Sequence, residues 1–234
     1  MFHIPDPVDK PALRKQLRAR RAAVTAAERH AAGRQLARLA LHHRLLARHR
    51  RIGFYMPSNN EIDVLPLLRV ALRMGVSCYL PVVPRRALVS AGRHKLWFTR
   101  LGGKAKCLDR PPAAWVSNHW VKNRWVKNRY GIPEYLPRAA RRVRARQLDL
   151  LFMPLLGFDS QGWRIGMGGG YYDASLAHLR ESNTRRQHWR RPHLIGVAFS
   201  VQEIERAPND PWDVRLDGIL TERGYRRASR SRMP

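Results

Sequence analysis

Two short apolar runs of strand character, residues 51–56 (RIGFYM) and 77–83 (SCYLPVV), flank an amphipathic stretch, 64–74, that stops at Gly75. Strand, helix, strand at this spacing is a βαβ unit. A crossover helix is what parallel strands need, whereas antiparallel neighbours need only a short turn. The spacing therefore predicts a parallel sheet. Further strands are expected at 95–101 (KLWFTRL), at 148–154 (LDLLFMP), at 193–199 (HLIGVAF) and as a last short piece at 217–220. Ahead of the sheet, a helix is expected from Lys10 to about 23, with Pro11 at the first position, where a missing N–H costs nothing. Thr25 and Glu28 read as a capping box opening a second helix that runs to about residue 48. A glycine-rich turn and a helix, from about 170 to 179, follow the buried strand at 148–154. Residues 102–147 show no clear periodicity, and WVKNR at 120–124 is repeated at once at 125–129, which reads as a local duplication in a loop. One α/β domain over 1–222 is expected, with 223–234 a disordered basic tail.

Hydrophobic residues make up 44% of the 234, enough for a sizeable core, and no run approaches the roughly 20 apolar residues of a membrane span. Cys78 and Cys107 are the two cysteines, which excludes a disulfide scaffold or a cysteine-rich zinc site. The first residues lack a basic flank and an apolar run, so no secretory signal is expected, and a reducing cytoplasm fits best. The formal charge is +28, from 45 Lys+Arg against 17 Asp+Glu. A basic surface of this size suggests nucleic acid. Yet the arginines run from end to end, no homeodomain, zinc-finger or RNP pattern is present, and aromatics do not interleave with the basic residues in one patch. Compositional bias on a solvated surface is the favoured reading, with nucleic acid kept as the alternative.

The densest chemical signal is the segment from Arg164 to Asp173 (RIGMGGGYYD), lying between a buried strand and a helix. Glycines there let backbone N–H groups close around an anion, and a helix N-terminus adds positive potential. The segment is neither a P-loop nor a good Rossmann fingerprint, because Tyr171 stands where the third glycine of the latter would be. A tight packing turn is the alternative. Lys10, Arg14 and Arg18 share one helical face, which by itself reads as solvated. Asp210, Asp213 and Asp217 place three carboxylates after a strand, either for turn formation or for Mg²⁺, which takes one or two carboxylates plus phosphates and water. Glu61 also follows a strand. Ligands of an open parallel sheet bind beyond the carboxyl ends of its strands, so Glu61, the glycine loop and the 206–213 loop are expected to converge on one cleft. No serine or cysteine nucleophile signature is visible, and His42 and His43 have no paired ligand motif.

Taken together, these segments resemble the 5-formyltetrahydrofolate cyclo-ligase (methenyltetrahydrofolate synthetase) family from about Lys10 to Thr221. The resemblance is carried by Lys10 to Arg14, by 54–56 running to Glu61 and Asp63, and by Leu80 to Val82. It continues through 128–134 (NRYGIPE), Met153 and Pro154, and Phe158 and Asp159. It ends with Arg164 to Asp173, Ala207 and Pro208, Trp212 and Asp213, and Leu216 and Asp217. It implies a three-layer, mostly parallel sheet flanked by helices (Rossmann-like, NagB/RpiA/CoA transferase-like) and preceded by N-terminal helices. It further implies an ATP- and Mg²⁺-dependent conversion of 5-formyltetrahydrofolate to 5,10-methenyltetrahydrofolate by a monomer. By resemblance, Lys10, Pro11, Ala12, Leu13 and Arg14 contact ATP, as do Arg164, Ile165, Gly166, Met167, Gly168, Gly169, Gly170, Tyr171 and Tyr172. Lys10, Arg14 and Arg164 take the catalytic role. Met56, Glu61 and Met167 to Tyr171 contact the folate, and Asp173 and Asp213 hold Mg²⁺. Tyr135 stands where the family usually has proline, and with the duplication beside it no site residue is assigned within 102–147.

Overall fold

The computed structural model describes residues 9–58, 60–84, 94–102, 125–135, 142–181 and 191–229. Two helices lead. Helix α1 (Lys10–Ala22) starts on Asp9, whose carboxylate accepts the Ala12 N–H, with Pro11 in the first turn. Helix α2 (Ala26–His42) opens on the expected capping box, Thr25 and Glu28 each bonding the other's backbone N–H. It ends six residues before the expected boundary. Arg44 adopts a left-handed conformation (φ 53°), the Leu45 N–H reaches back to the Ala40 carbonyl, and the Arg44 N–H reaches Leu41. This is a Schellman stop without its usual glycine.

The sheet follows. Strands β1 (Arg51–Gly53) and β2 (Ser77–Val82) are parallel and joined by α3 (Leu65–Arg73), as the βαβ reading requires. Strand β3 (Trp97–Arg100) lies antiparallel to β2. A hairpin of β4 (Trp125–Lys127) and β5 (Pro133–Tyr135) forms a small sheet of its own, and β6 (Arg142–Val143) pairs with β3. Strand β7 (Leu150–Pro154) runs parallel to β1 on its other side. A second small hairpin, β8 (Gly157–Phe158) and β9 (Arg164–Ile165), leads to helices α4 (Tyr171–Leu176) and α5 (His178–Glu181). Strands β10 (His193–Val197) and β11 (Gly218–Thr221) extend the parallel sheet, and β12 (Gly224–Arg227) closes its edge antiparallel to β11. The eight-stranded order is β12-β11-β10-β7-β1-β2-β3-β6.

Helices α2 and α3 cover one face, where Leu36, Leu68 and Ala71 meet Ile52, Phe152 and Ile195. Leu176 of α4, with Val214 and Leu216, covers the other, over Leu151, Met153 and Leu194. Alternate residues of β7 thus serve opposite cores, as strand geometry demands. The architecture is the expected three-layer α/β sandwich. Among the described residues, no helix is long and apolar enough to cross a membrane.

Two expectations change. Residues 224–227 are not a disordered tail but an edge strand paired in register with β11. The region 102–147 is not merely a loop. Its described part holds β4, β5 and β6, too short for periodicity to show. The first WVKNR copy, the 182–190 part of the basic loop, and residues 230–234 lie outside the described residues.

Helix α1 is anchored apart from the main core. Leu17, fully buried, packs with Leu156, Ile165 and Ala207, and Leu13 leans on the same cluster. Leu17→Ala is expected to cost about 2–5 kcal/mol, transfer plus cavity, read as a lower midpoint in urea unfolding. Because α1 carries Lys10 and Arg14, the same change should weaken whatever those two hold.

Candidate active site

The parallel strands deliver their following loops to one edge. The strand order reverses between β1 and β7, the switch point where such sheets open a crevice. A cleft of about 770 Å³ lies there. Loops after β1 bring Tyr55, Met56, Ser58 and Glu61, and the β8–β9 hairpin brings Arg164. The loop after β10 brings Pro208, Asp210, Trp212 and Asp213, while α1 contributes Lys10 and Arg14. The three loops expected to converge do so.

The glycine segment forms one wall. Gly168 (φ 100°) and Gly170 (φ 63°) take left-handed backbone that other residues resist, and Gly170 caps α4. The first N–H groups of α4 have no acceptor within the helix. Ile165, Gly166, Met167, Gly169, Tyr171 and Tyr172 line the cleft with them.

Charge is concentrated on one set of contacts. Lys10 pairs with Asp210, and its Nζ lies 3.8 Å from Asp213 Oδ2. Asp213 Oδ2 also accepts the Asp210 N–H at 2.8 Å. Arg14 Nε donates to the Gly166 carbonyl at 3.2 Å. Arg164, nearly buried, pairs with Asp173 and donates to the Val214 carbonyl, while the Val214 N–H approaches Asp173 Oδ1 at 3.4 Å. Lysine, two arginines and three aspartates thus line the cleft between α1 and α4 in three separate groups of contacts.

The other set is drier. Glu61 accepts the Ser58 N–H at 2.9 Å and faces Arg21, whose Nη1 is 3.8 Å away. Burial pushes the Glu61 carboxyl above its ordinary range, with the Ser58 bonds and the Arg21 charge opposing. The Tyr55 hydroxyl donates to the Ile62 carbonyl, and burial raises it too. Tyr172 connects the two sets. Its phenol is raised mainly by desolvation, further by Glu61, and is pulled back by Arg164. Glu134, raised by burial, accepts the Val83 N–H and Asn128 Nδ2. Tyr130 and Arg129 reach Tyr171 across the opening. Tyr130, Met167 and Trp212 are large apolar groups left exposed, and all three line the cleft.

Of the residues named from sequence, Lys10, Arg14, Met56, Glu61, Asp173, Asp213 and 164–172 line this cleft. Pro11, Ala12 and Leu13 do not, and Leu13 is turned into the α1 anchor. Asp210, read from sequence as a turn or Mg²⁺ carboxylate, and Trp212, a carrier of the resemblance, line the cleft as well, whereas Tyr55 and Ser58 were given no role. Neither were Asn128, Tyr130 and Glu134, which the hairpin β4–β5 brings in despite the duplication beside it. The NRYGIPE string was the available signal for that hairpin. Among the described residues, no group of three or more His, Cys, Asp or Glu is placed to hold a metal on protein ligands alone.

Comparison with known proteins follows the same outline. The model of the 5-formyltetrahydrofolate cyclo-ligase family matches residues 6–222. The 5-formyltetrahydrofolate cyclo-ligase of Haemophilus influenzae is 30% identical over 210 residues, covering 89% of this chain and 95% of that protein. The Escherichia coli K12 protein of the same name is 27% identical over 205 residues, 88% of this chain and 96% of its own. Among solved structures, Aquifex aeolicus 5,10-methenyltetrahydrofolate synthetase superposes with a TM-score of 0.66 at 25% identity, covering 96% and 95% of the two chains. The fold, the cleft and these likenesses agree, and the chain belongs to the 5-formyltetrahydrofolate cyclo-ligase family of ligases.

Proposed function

We propose that this chain closes 5-formyltetrahydrofolate to 5,10-methenyltetrahydrofolate at the cleft, with ATP converted to ADP and phosphate. The observation that carries the reading is a single cleft lined by charged pairs, by a buried carboxylate and by a glycine-rich wall between them. A formamide oxygen is a very poor leaving group. Phosphorylation by the γ-phosphoryl of ATP makes it a good one, N10 attacks the activated carbon, and phosphate departs. Such a reaction calls for positioning and charge neutralisation rather than a protein nucleophile.

Lys10, Arg14 and Arg164 hold the triphosphate charge in this reading, and the N–H groups of 166–172 take phosphate oxygens. Asp210 masks Lys10 until the nucleotide arrives. Glu61 accepts hydrogen bonds from pterin N–H groups, Met56 packs on the ring, and the exposed Trp212, Tyr130 and Met167 shield the reacting centre from water. Asp173 and Asp213 suit Mg²⁺, because two carboxylates beside a phosphate site leave its remaining positions to phosphates and water. When bound, the ion would neutralise phosphate charge. Tyr172, touched electrostatically by both Glu61 and Arg164, stands where the two ligands meet.

The test is the near-ultraviolet absorbance of the methenyl product. With 5-formyltetrahydrofolate, the signal is expected to rise when ATP and Mg²⁺ are both present and to stay flat when either is omitted. A rise without ATP, or none from folded protein with both, overturns the proposal.

A further inference from the structure

The opposite end of the parallel strands, where they begin, holds a second depression, of about 610 Å³, unrelated to the cleft described above. It is lined by Arg48, His49, Arg50 and Arg51 before and at the start of β1, by Arg146, Leu148 and Asp149 before β7, and by Arg191 before β10. Five arginines from three separate segments of the chain meet here against one lining carboxylate.

That carboxylate is already engaged. Asp149 accepts the Arg51 N–H at 2.7 Å through one oxygen, and the other lies 3.7 Å from the Arg51 guanidinium. Arg191 is held by Asp217 at 2.5 Å. Among the described residues, Arg48, Arg50 and Arg146 form no ion pair, and all three are exposed. The turn that presents two of them is specific. The Arg50 N–H closes onto the Ala47 carbonyl, with His49 in left-handed backbone at φ 64°. A non-glycine residue held there costs free energy that an ordinary linker avoids. The charge of this end is also felt nearby. Beside the depression, His193 is pushed below its usual proton affinity mainly by burial, and then by Arg191, Arg227 and Arg50 against the pull of Asp217.

We propose that this depression is a second anion site, taking a compact small molecule that carries two or more phosphate groups. Guanidinium forks suit phosphate oxygens, and three or more converging on one volume favour several charges over one. The volume falls within the range of small-molecule sites. Among the described residues, Leu148 is the one apolar lining residue, and no Phe, Tyr or Trp lines the depression to stack a base beside His49. A nucleic-acid strand is therefore the poorer fit, since single-strand sites interleave aromatics with charge.

The experiment follows the imidazole resonances of His49 and His193 in the full chain as inorganic tripolyphosphate is added at physiological salt. Both are expected to shift saturably. Orthophosphate should bind at least about tenfold more weakly, as should tripolyphosphate to an Arg48→Gln/Arg146→Gln variant. Both altered side chains are exposed, and turnover in the double variant should equal that of the parent. Unshifted resonances, equal affinity in the variant, equal affinity for orthophosphate, or displacement of tripolyphosphate by a single-stranded oligonucleotide at lower phosphate concentration would each overturn the proposal.

Discussion

Asp173→Asn is expected to lower kcat for methenyl formation about 10²–10³-fold while leaving the fold intact. The substitution keeps the shape of the side chain and its ability to accept the Val214 N–H, and removes one negative charge. Two proposed duties are lost with it: a partner for Arg164, and half of the carboxylate pair offered to Mg²⁺. The stability cost should be about 1–3 kcal/mol, because Arg164, 6% exposed, loses its counterion but keeps the Val214 carbonyl and the asparagine oxygen as acceptors. Thermal unfolding with steady-state kinetics separates the two effects. A variant that keeps its transition temperature and its turnover would remove Asp173 from the metal site.

Arg21→Met should act the other way, strongly on the fold and indirectly on chemistry. Arg21 is 3% exposed and Glu61 9%, so losing the cation strands a buried carboxyl. Breaking such a pair costs about 3–5 kcal/mol. The pH dependence has a definite sign. Burial already raises the folded Glu61 carboxyl above its unfolded range. A raised carboxyl binds more protons folded than unfolded, so its contribution to stability falls as pH rises through that interval and levels off above the folded value. Without Arg21 the folded value climbs further and the interval extends towards neutrality. The acid limb of kcat/KM against pH should move upward in the variant, and Arg21→Lys should restore most of it. An unmoved limb would show that Arg21 does not set the charge of Glu61.

Arg21 also shows where sequence reading stops. In a chain of charge +28, an arginine on a basic helix looks solvated, and only tertiary packing reveals it buried against Glu61. Long apolar strands such as β7 and β10 were legible because burial on both faces leaves a near-continuous hydrophobic run. Their adjacency was not, since order in a parallel sheet depends on which crossover packs where. Strand β12 escaped notice because an edge strand is free to be polar, as Arg226 and Arg227 are. The end of α2 was misplaced because Arg44 occupies the left-handed position that glycine normally marks. The hairpin β4–β5 offered three residues per strand, held by the Trp125–Tyr135 contact across it rather than by alternation. In the cleft, the glycine wall and its flanking charges were readable from local pattern. Tyr55, Ser58 and Glu134 serve through position alone.

The pairing of Lys10 with Asp210 joins residues 200 positions apart. At about 5–20 residues per second, a ribosome takes roughly 10–40 s to make that stretch. Throughout it, α1 lacks the loop that completes its end of the cleft. Strand β7, with Leu150 to Met153 all buried in the finished sheet, waits for β10 some forty residues later before its second edge is covered. The nascent chain therefore carries a sticky half-sheet and no working site until its last third emerges. Yield on overexpression should depend on chaperone supply more than on the stability of the finished protein.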